Sequence, residues 1–249
     1  MDRVAFSIFG IDIMWYGILI ASGILLAVLV SSKEASRLGY KEGQVTDICL
    51  FAVPLGIVGA RLYYVAFNWS QYAGDFRKII NIRGGGLAIH GGILAGILTV
   101  WIYTRIKKLE FFKTADILVL GLPMAQAIGR WGNFINGEAH GGPTNLPWAI
   151  LVDGQRVHPT FLYESFWDWL IFIYIIMIRK NKKYEGQLLV DYIFLYSLGR
   201  FFIEGLRTDS LMLGPIRMAQ LISLVGILVA LVVRYFLLKR KALEKESGK

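Results

Sequence analysis

The chain has 249 residues, of which 55% are apolar and 18% charged, with a formal net charge of +9 and a mean hydropathy of +0.53. A soluble domain is typically about 45–50% apolar and about 25% charged, so this composition indicates a membrane protein. The basic residues are spread over short loops between apolar segments, a distribution typical of membrane topology that excludes a nucleic-acid-binding surface. The single cysteine, Cys49, excludes a disulfide within the chain and a cysteine-based metal site.

Seven apolar segments approach the length of about 20 residues that a membrane-spanning helix needs. In chain order they cover about 13–30, 45–67, 87–106, 115–128, 161–178, 188–206 and 218–238, and the fourth is short. The segments are continuous rather than alternating, which favours helices over barrel strands. The first is too long for a signal-peptide core and no Ala-x-Ala-like site follows it, so we interpret it as a retained helix. We predict an all-α fold, with residues 1–249 forming one transmembrane bundle.

The basic residues also predict an orientation. Lys and Arg number seventeen in the loops on one side of the predicted bundle and eight in those on the other, while Arg61 and Arg200 fall inside segments. Because cytoplasmic loops carry the excess of positive charge, the C-terminus is predicted to be cytoplasmic and, with seven spans, the N-terminus to be outside.

The first polar cluster is a glycine-rich run, residues 84–92, at the start of the third segment, with His90 between glycines. Glycines on both sides of a histidine allow another group to come close. The run is not a phosphate-binding P-loop, because no Gly-Lys-Ser/Thr follows it. Two readings stay open: an interfacial histidine satisfied by hydrogen bonds, or a member of a site.

The second cluster, residues 129–138, directly follows the short fourth segment. One cation, two amides and a carboxylate fall within it, namely Arg130, Asn133, Asn136 and Glu138. The alternatives are a functional site and a polar exit loop with Trp131 in the interfacial aromatic belt.

The third cluster is the run His-Pro-Thr-Phe-Leu-Tyr-Glu, residues 158–164. It is either a capped helix entrance, since Pro159 suits the start of a helix, or part of a site. The fourth is a set of residues spaced by four, four and three, which share one helical stripe: Tyr196, Arg200, Glu204 and Arg207. Arg200 and Glu204 are predicted to pair. That pair is either purely structural or part of a stripe whose excess positive charge a phosphate neutralises.

With the predicted orientation, all four clusters lie at or near the outer ends of their segments, as does the run Trp15-Tyr16-Gly17 at the start of the first segment. Charged residues inside a membrane are costly and therefore functional candidates. This convergence favours one shared site.

Together these motifs resemble the prolipoprotein diacylglyceryl transferase family over nearly the whole chain. The specific run is Gly-Arg-x-Gly-Asn-Phe-x-Asn-x-Glu at residues 129–138. The runs Gly-Gly-x-x-x-His-Gly-Gly, His-Pro-Thr-x-Leu-Tyr-Glu and Arg-Phe-x-x-Glu-x-x-Arg match as well. One departure is His140, which stands where some members have an aromatic residue, and we assign it no catalytic role.

The resemblance implies a reaction. Phosphatidylglycerol donates its diacylglyceryl group to the thiol of the lipobox cysteine of a prolipoprotein, a thioether forms and glycerol phosphate leaves. It implies no cofactor and no metal. The implied partners are phosphatidylglycerol, prolipoprotein lipobox segments and the lipid bilayer. The implied location is the bacterial inner membrane, with the site toward the outer face.

The chemistry suggests roles for the matched residues. The reactive form of a thiol is its thiolate, and a histidine with a pKa near about 6.5 suits a base at neutral pH, so His90 is the candidate base. Arginine binds phosphate in a bidentate manner. The catalytic set is therefore completed by Arg130, Arg200, Arg207 and Glu204. Glu138 and Glu204 are expected to position the arginines, and the substrate-binding set is Tyr16, Arg130, Asn133, Asn136, Glu138, Gly141 and Tyr196.

The sequence does not favour two other classes of membrane protein. A secondary transporter or channel often shows paired repeats and broken helices in both halves, and no such pairing is found. An intramembrane protease lacks support, because the sequence has no Gly-x-Ser-x-Gly, His-Glu-x-x-His or Gly-x-Gly-Asp motif.

Overall fold

The computed structural model describes residues 2–82 and 85–247. Arg83 and Lys249 of the basic loops and Gly84 of the glycine-rich run lie outside the described residues.

The described residues form ten helices and three short antiparallel hairpins. The helices are α1 (Trp15–Arg37), α2 (Gln44–Phe67), α3 (Trp69–Tyr72), α4 (Phe76–Ile80), α5 (Ile89–Lys107), α6 (Phe111–Val119), α7 (Leu122–Asn136), α8 (Thr160–Ile178), α9 (Gln187–Glu204) and α10 (Met218–Ser247). The hairpins pair β1 (Val4–Ile8) with β2 (Ile11–Met14), β3 (Ile150–Val152) with β4 (Gln155–Val157), and β5 (Met212–Leu213) with β6 (Ile216–Arg217).

The chain is a helical membrane protein. Five of its described helices are long and apolar enough to cross a membrane: Trp15–Arg37, Gln44–Phe67, Ile89–Lys107, Thr160–Ile178 and Met218–Leu243. Helices α6 and α7 together are apolar enough for a sixth span, but they bend by 41° at the break between them. Helix α9 has 18 residues and carries Asp191, Arg200 and Glu204, so it is less apolar than the others. Seven spans therefore stay a prediction.

The helices of the structure begin and end at other residues than several of the predicted spans. The fourth segment, predicted as 115–128, consists of parts of α6 and α7, and α7 continues to Asn136. The first segment was predicted from about Ile13, but residues 11–14 form β2, which pairs with β1. The helices extend beyond the apolar stretches of the sequence. A helix can continue through polar residues when these lie on a face that packs inside the protein.

The chain divides into two compact units, Met1–Ser31 with Asp116–Lys249, and Ser32–Ala115. In the first unit α7 packs on α8, α8 on α9, and α9 on α10. Its core contains the buried residues Val119, Leu120, Ile171, Ile175, Leu188 and Tyr192.

One buried carboxylate fixes the start of α9, the helix that carries Arg200. Asp116 accepts hydrogen bonds from the backbone N–H groups of Gly186 at 2.8 Å and Leu189 at 3.0 Å, and it pairs with Lys182 at 2.9 Å. A carboxylate at a helix N-terminus satisfies otherwise unpaired N–H groups and complements the helix dipole. These contacts therefore anchor the N-terminal end of α9, whereas Glu204 lies at its C-terminal end.

The second unit is built on the packing of α2 against α5. The two helices approach closely, since a Cβ at Gly59 would lie 2.7 Å from the carbonyl oxygen of Gly91. Arg61, only 6% exposed, extends from α2 toward the segment that leads into α5. Its guanidinium donates to four backbone carbonyls, those of Lys78 (2.6 Å), Ile79 (2.9 Å), Gly85 (2.8 Å) and Gly86 (2.9 Å).

Candidate active site

Glu164, in the first two turns of α8, pairs with three arginines of the first unit. Its Oε2 lies 2.6 Å from Nη1 of Arg130, and its Oε1 pairs with Arg200 and lies 3.6 Å from Nη1 of Arg207. The carboxylate is 5% exposed. Three helices and one loop thus meet at a single buried side chain, because burial of each charge is tolerable only beside its opposite.

A second carboxylate, Glu204, links two of the same arginines. Its Oε2 lies 2.7 Å from Nη2 of Arg200 and 3.8 Å from Nε of Arg207. The predicted pair between Arg200 and Glu204 is confirmed. The predicted excess of positive charge on this stripe is offset by Glu164, which reaches the stripe from α8.

Arg207 also binds Asp209, which lies in the loop after α9. Nε and Nη2 of Arg207 donate to the two oxygens of Asp209 at 2.9 and 2.7 Å. Partial burial favours the neutral form of Asp209, but these hydrogen bonds and the charge of Arg207 outweigh it, so the pKa of Asp209 is lowered from its usual value. This carboxylate therefore stays ionised and holds Arg207 in place.

Arg130 lies within α7, not in the exit loop that the sequence suggested. Its side chain is 20% exposed, and its Nη2 donates to the hydroxyl of Tyr196 at 3.2 Å. The helix continues past the apolar stretch because Arg130 and its neighbours face α8 and α9, where ion pairs replace apolar contacts. α7 ends only at Gly137, which adopts a left-handed conformation with φ 71°.

Tyr16, at the start of α1, lies against α7 at Gly132. A Cβ at Gly132 would come within 3.0 Å of Cε2 of the Tyr16 ring. Only glycine leaves room for the ring there, which explains a glycine two residues after Arg130. Tyr16 is thereby held beside the helix that carries Arg130.

Asn133, Asn136 and Glu138 form a hydrogen-bonded set at the end of α7. Both amides donate to Oε1 of Glu138, at 3.1 and 3.2 Å. The expectation that Glu138 positions an arginine is therefore corrected: Glu164 does so, and Glu138 orients the two asparagines.

Gly141 connects three of the sequence motifs. Its N–H donates to the carbonyl of His158 at 2.8 Å, and Gly142 donates to the carbonyl of Leu206 at 2.9 Å. A Cβ at Gly141 would lie 2.8 Å from the carbonyl oxygen of Leu206. This crowded crossing requires a glycine and brings the ends of α7, α8 and α9 together.

His90 belongs to the second unit, in the first turn of α5. Its side chain is exposed, and its ring lies 6.1 Å from the ring of Tyr63, centroid to centroid. Its role as a base stays a prediction.

The sequence motifs do not reveal that Glu164 is the centre of the site, although Glu164 ends the third motif. One signal was available: Arg130, Arg200 and Arg207 are three cations within or just after apolar segments, so carboxylates beyond Glu204 are expected near them. Asp168, one turn after Glu164, is also absent from the predicted site, and it is 2% exposed. Oδ2 of Asp168 has no hydrogen-bond partner among the described residues.

Fold and site together define an integral membrane enzyme with a buried cluster of arginines and carboxylates. The family model described as "Prolipoprotein diacylglyceryl transferase" matches residues 3–236. The chain belongs to this family of transferases.

Several curated relatives are similar over nearly their full length. A phosphatidylglycerol–prolipoprotein diacylglyceryl transferase of Clostridioides difficile (strain 630) is 64% identical, over 96% of this chain and 97% of the relative. A protein of the same name from Finegoldia magna is 52% identical, over 99% and 100%. One from Clostridium kluyveri is 46% identical, over 93% and 94%.

Proposed function

We propose that this chain transfers the diacylglyceryl group of phosphatidylglycerol to the thiol of the lipobox cysteine of a prolipoprotein, the first step of lipoprotein maturation. The observation that carries the proposal is the convergence of Arg130, Arg200 and Arg207 on Glu164 within a helical membrane protein. An arginine cluster at the side of apolar helices suits a lipid whose headgroup contains a phosphate.

The proposed step exchanges one bond for another. The cysteine sulfur forms a bond to the diacylglycerol carbon that carries the phosphate, and the bond between that carbon and the phosphate oxygen breaks, so the phosphate leaves with the headgroup glycerol. The products are a thioether and glycerol phosphate. The thiol must lose its proton, because the thiolate is the nucleophile, and His90 is the proposed acceptor of that proton.

The arginines are proposed to hold the phosphate and to stabilise the charge that builds on it as it leaves. A guanidinium carries five N–H donors, so the contacts of Arg130 with Glu164 and Tyr196 leave donors for phosphate oxygens. Glu164 and Glu204 fix the orientation of the guanidinium groups before the lipid arrives. Preorganised charges of this kind act where negative charge develops in the transition state.

The remaining site residues are proposed to bind the donor lipid. Asn133 and Asn136, both oriented by Glu138, offer amide groups to the glycerol hydroxyls, and Tyr16 lies beside the same helix. Tyr196 and Gly141 complete the proposed binding set, Tyr196 through its contact with Arg130 and Gly141 by shaping the crossing of the loops.

We propose seven spans, with α9 crossing as part of the bundle, the N-terminus outside and the C-terminus in the cytoplasm. The enzyme then lies in the bacterial inner membrane with its site toward the outer face. The excess of basic residues in alternate loops supports this orientation. A reporter fused after Lys249 that is active only in the periplasm would contradict it.

The decisive experiment uses the full-length chain purified in detergent. Phosphatidylglycerol and a lipobox peptide should yield a lipidated peptide and free glycerol phosphate in equal amounts, and a lipid without a phosphoglycerol headgroup should yield neither. Substrate transport in liposomes, without this transfer, would instead favour a secondary transporter.

A further inference from the structure

A cavity of about 360 Å³ lies beside the C-terminal end of α7, within the first unit. Its walls are the end of α7 and the following loop (134–138), strand β3 with the next residue (150–153), Arg3, His140 and Phe161. Cavities that bind small ligands or single side-chain anchors are typically about 300–1,000 Å³.

One wall of the cavity is the free edge of a β-hairpin. Strands β3 and β4 are joined by a two-residue turn, Asp153 (φ 48°) and Gly154 (φ 80°), and Leu151 stands opposite Arg156. The carbonyl of Arg156 faces outward, since it accepts a hydrogen bond from Thr144 at 2.9 Å. In an antiparallel ladder, two residues opposite each other direct their N–H and C=O groups either toward each other or away from each other. Leu151 is opposite Arg156, so its N–H and C=O face away from β4.

That edge is open to another strand. Among the described residues β3 pairs with β4 alone. Side chains alternate along a strand, so a cavity that touches four consecutive residues, 150–153, runs along the backbone edge as well as one face. An extended peptide commonly binds to an exposed edge of this kind through main-chain hydrogen bonds.

The cavity suits an uncharged apolar ligand better than an anion. Phe134 and Phe161 stack with ring centroids 4.6 Å apart, and both line the cavity. Its charged side chains are two carboxylates, Glu138 and Asp153, against one guanidinium, Arg3. Their balance is negative, which opposes a lipid phosphate and is neutral toward an apolar peptide.

The cavity is close to the arginine cluster. Phe134 follows Arg130 by four residues on α7, which places it on the same face about 6 Å further along the axis. A ligand in the cavity therefore lies within a few ångströms of the end of the helix that carries Arg130.

We propose that this cavity binds the acceptor peptide, an extended apolar segment next to its cysteine, as an added strand on β3. The N–H and C=O of Leu151 bind the peptide backbone, and an apolar peptide side chain lies against Phe134 and Phe161. This inference rests on the proposed function, because it assigns the peptide subsite of that reaction.

The test separates peptide binding from lipid binding. A fluorescent lipobox peptide with serine in place of its cysteine is titrated into the full-length protein without phosphatidylglycerol, and KM is measured for each substrate with the reactive peptide. Val152→Trp fills the cavity, and Leu151→Pro removes the outward N–H, a change that an edge strand tolerates. Met212→Trp, on the exposed β5–β6 hairpin, is the control for added bulk.

Both cavity variants should weaken peptide binding and raise the KM for the peptide by about 10-fold or more, and leave the KM for phosphatidylglycerol within about 2-fold. Methylation of single peptide amides should weaken binding at alternate positions only. A raised KM for the lipid alone would assign the cavity to the headgroup, and unchanged constants in Val152→Trp would remove it from the reaction. If Leu151→Pro does not fold, Val152→Trp and the methylated peptides decide.

The two proposals fail separately. A wild-type protein that binds the peptide but forms no thioether overturns the proposed function and leaves the peptide subsite in place. A wild-type protein that forms the thioether while Val152→Trp binds peptide normally overturns the subsite alone.

Discussion

Arg130 and Glu164 lie on neighbouring helices, α7 and α8, with Nη1 of the arginine 2.6 Å from Oε2 of the glutamate. Both side chains are largely buried, 20% and 5% exposed. Loss of one partner of a buried ion pair typically costs about 3–5 kcal/mol, because the other charge is left without compensation. Substitutions at this pair therefore change stability as well as activity, and experiments must measure both.

Arg130→Lys should abolish most transfer while it preserves the fold. Lysine keeps a positive charge beside Glu164, but its compact ammonium cannot also reach Tyr196 or offer a planar fork to phosphate. The expected loss in rate is about 100-fold, equivalent to about 2.7 kcal/mol of transition-state stabilisation. Melting temperature and transfer are measured in one detergent, with Arg105→Lys in the second unit as the control. Full transfer by Arg130→Lys would defeat its assignment to the phosphate.

Arg200→Ala should lower stability more than Arg130→Lys does. Arg200 pairs with both Glu164 and Glu204, so among the described residues its removal leaves Glu204 with the longer ion-pair contact to Arg207, 3.8 Å. The expected cost is about 3–5 kcal/mol in the free energy of unfolding. The double variant with Glu204→Ala should regain part of this stability without regaining transfer. If transfer returned in the double variant, Arg200 would be purely structural.

The sequence predicted the parts of this site that depend on spacing within one helix. Arg200 and Glu204 are four residues apart on one helix, so their contact follows from helix geometry alone. Glu164 could not be assigned in this way, because its contacts join helices distant in sequence and depend on how α8 packs against α7 and α9. The sequence places Arg130 in a loop because the fourth apolar segment ends before it.

The start of the chain shows the same limit. Ile13 and Met14 fall at the start of the first predicted helix, but residues 11–14 pair with Val4–Ile8 and form a strand. A short apolar run does not distinguish strand from helix without its partner. The surroundings of His90 depend on how α5 packs within the second unit, and residue spacing along the sequence does not specify that packing.

His90→Gln should leave the protein folded and reduce transfer at neutral pH. The side chain is exposed at the start of α5, so the substitution removes little packing. If the imidazole accepts the thiol proton, transfer slows because glutamine cannot take up that proton. Transfer and phosphatidylglycerol binding are measured at neutral pH for both proteins. A normal rate would remove His90 from the mechanism.

Asp209→Asn should lower stability at neutral pH but not in acid. The pKa of Asp209 is lowered in the folded protein by Arg207, so its carboxylate stabilises the fold above the unfolded pKa, about 3.9, and the contribution is lost as the pH falls through the folded value. Its side chain is 48% exposed, so solvent screening limits the effect to less than about 1 kcal/mol. Melting temperatures of both proteins are compared between pH 3 and 7, with Glu42→Gln as the control. A difference that did not shrink as the pH fell below the unfolded pKa would exclude the ion pair as its cause.

Arg61→Met should loosen the segment that leads into α5 and destabilise the second unit. The guanidinium donates to the carbonyls of Lys78, Ile79, Gly85 and Gly86, and methionine keeps the apolar stem but leaves these acceptors without a donor. Each buried acceptor left unpaired costs about 1–3 kcal/mol, and water reaching the loop reduces the sum, so a loss of at least about 2 kcal/mol is expected. Proteolysis near residues 78–82 should accelerate, whereas the exposed control Arg77→Met in α4 should behave like the wild type. An unaltered cleavage rate and melting temperature in Arg61→Met would show that the loop is held by other contacts.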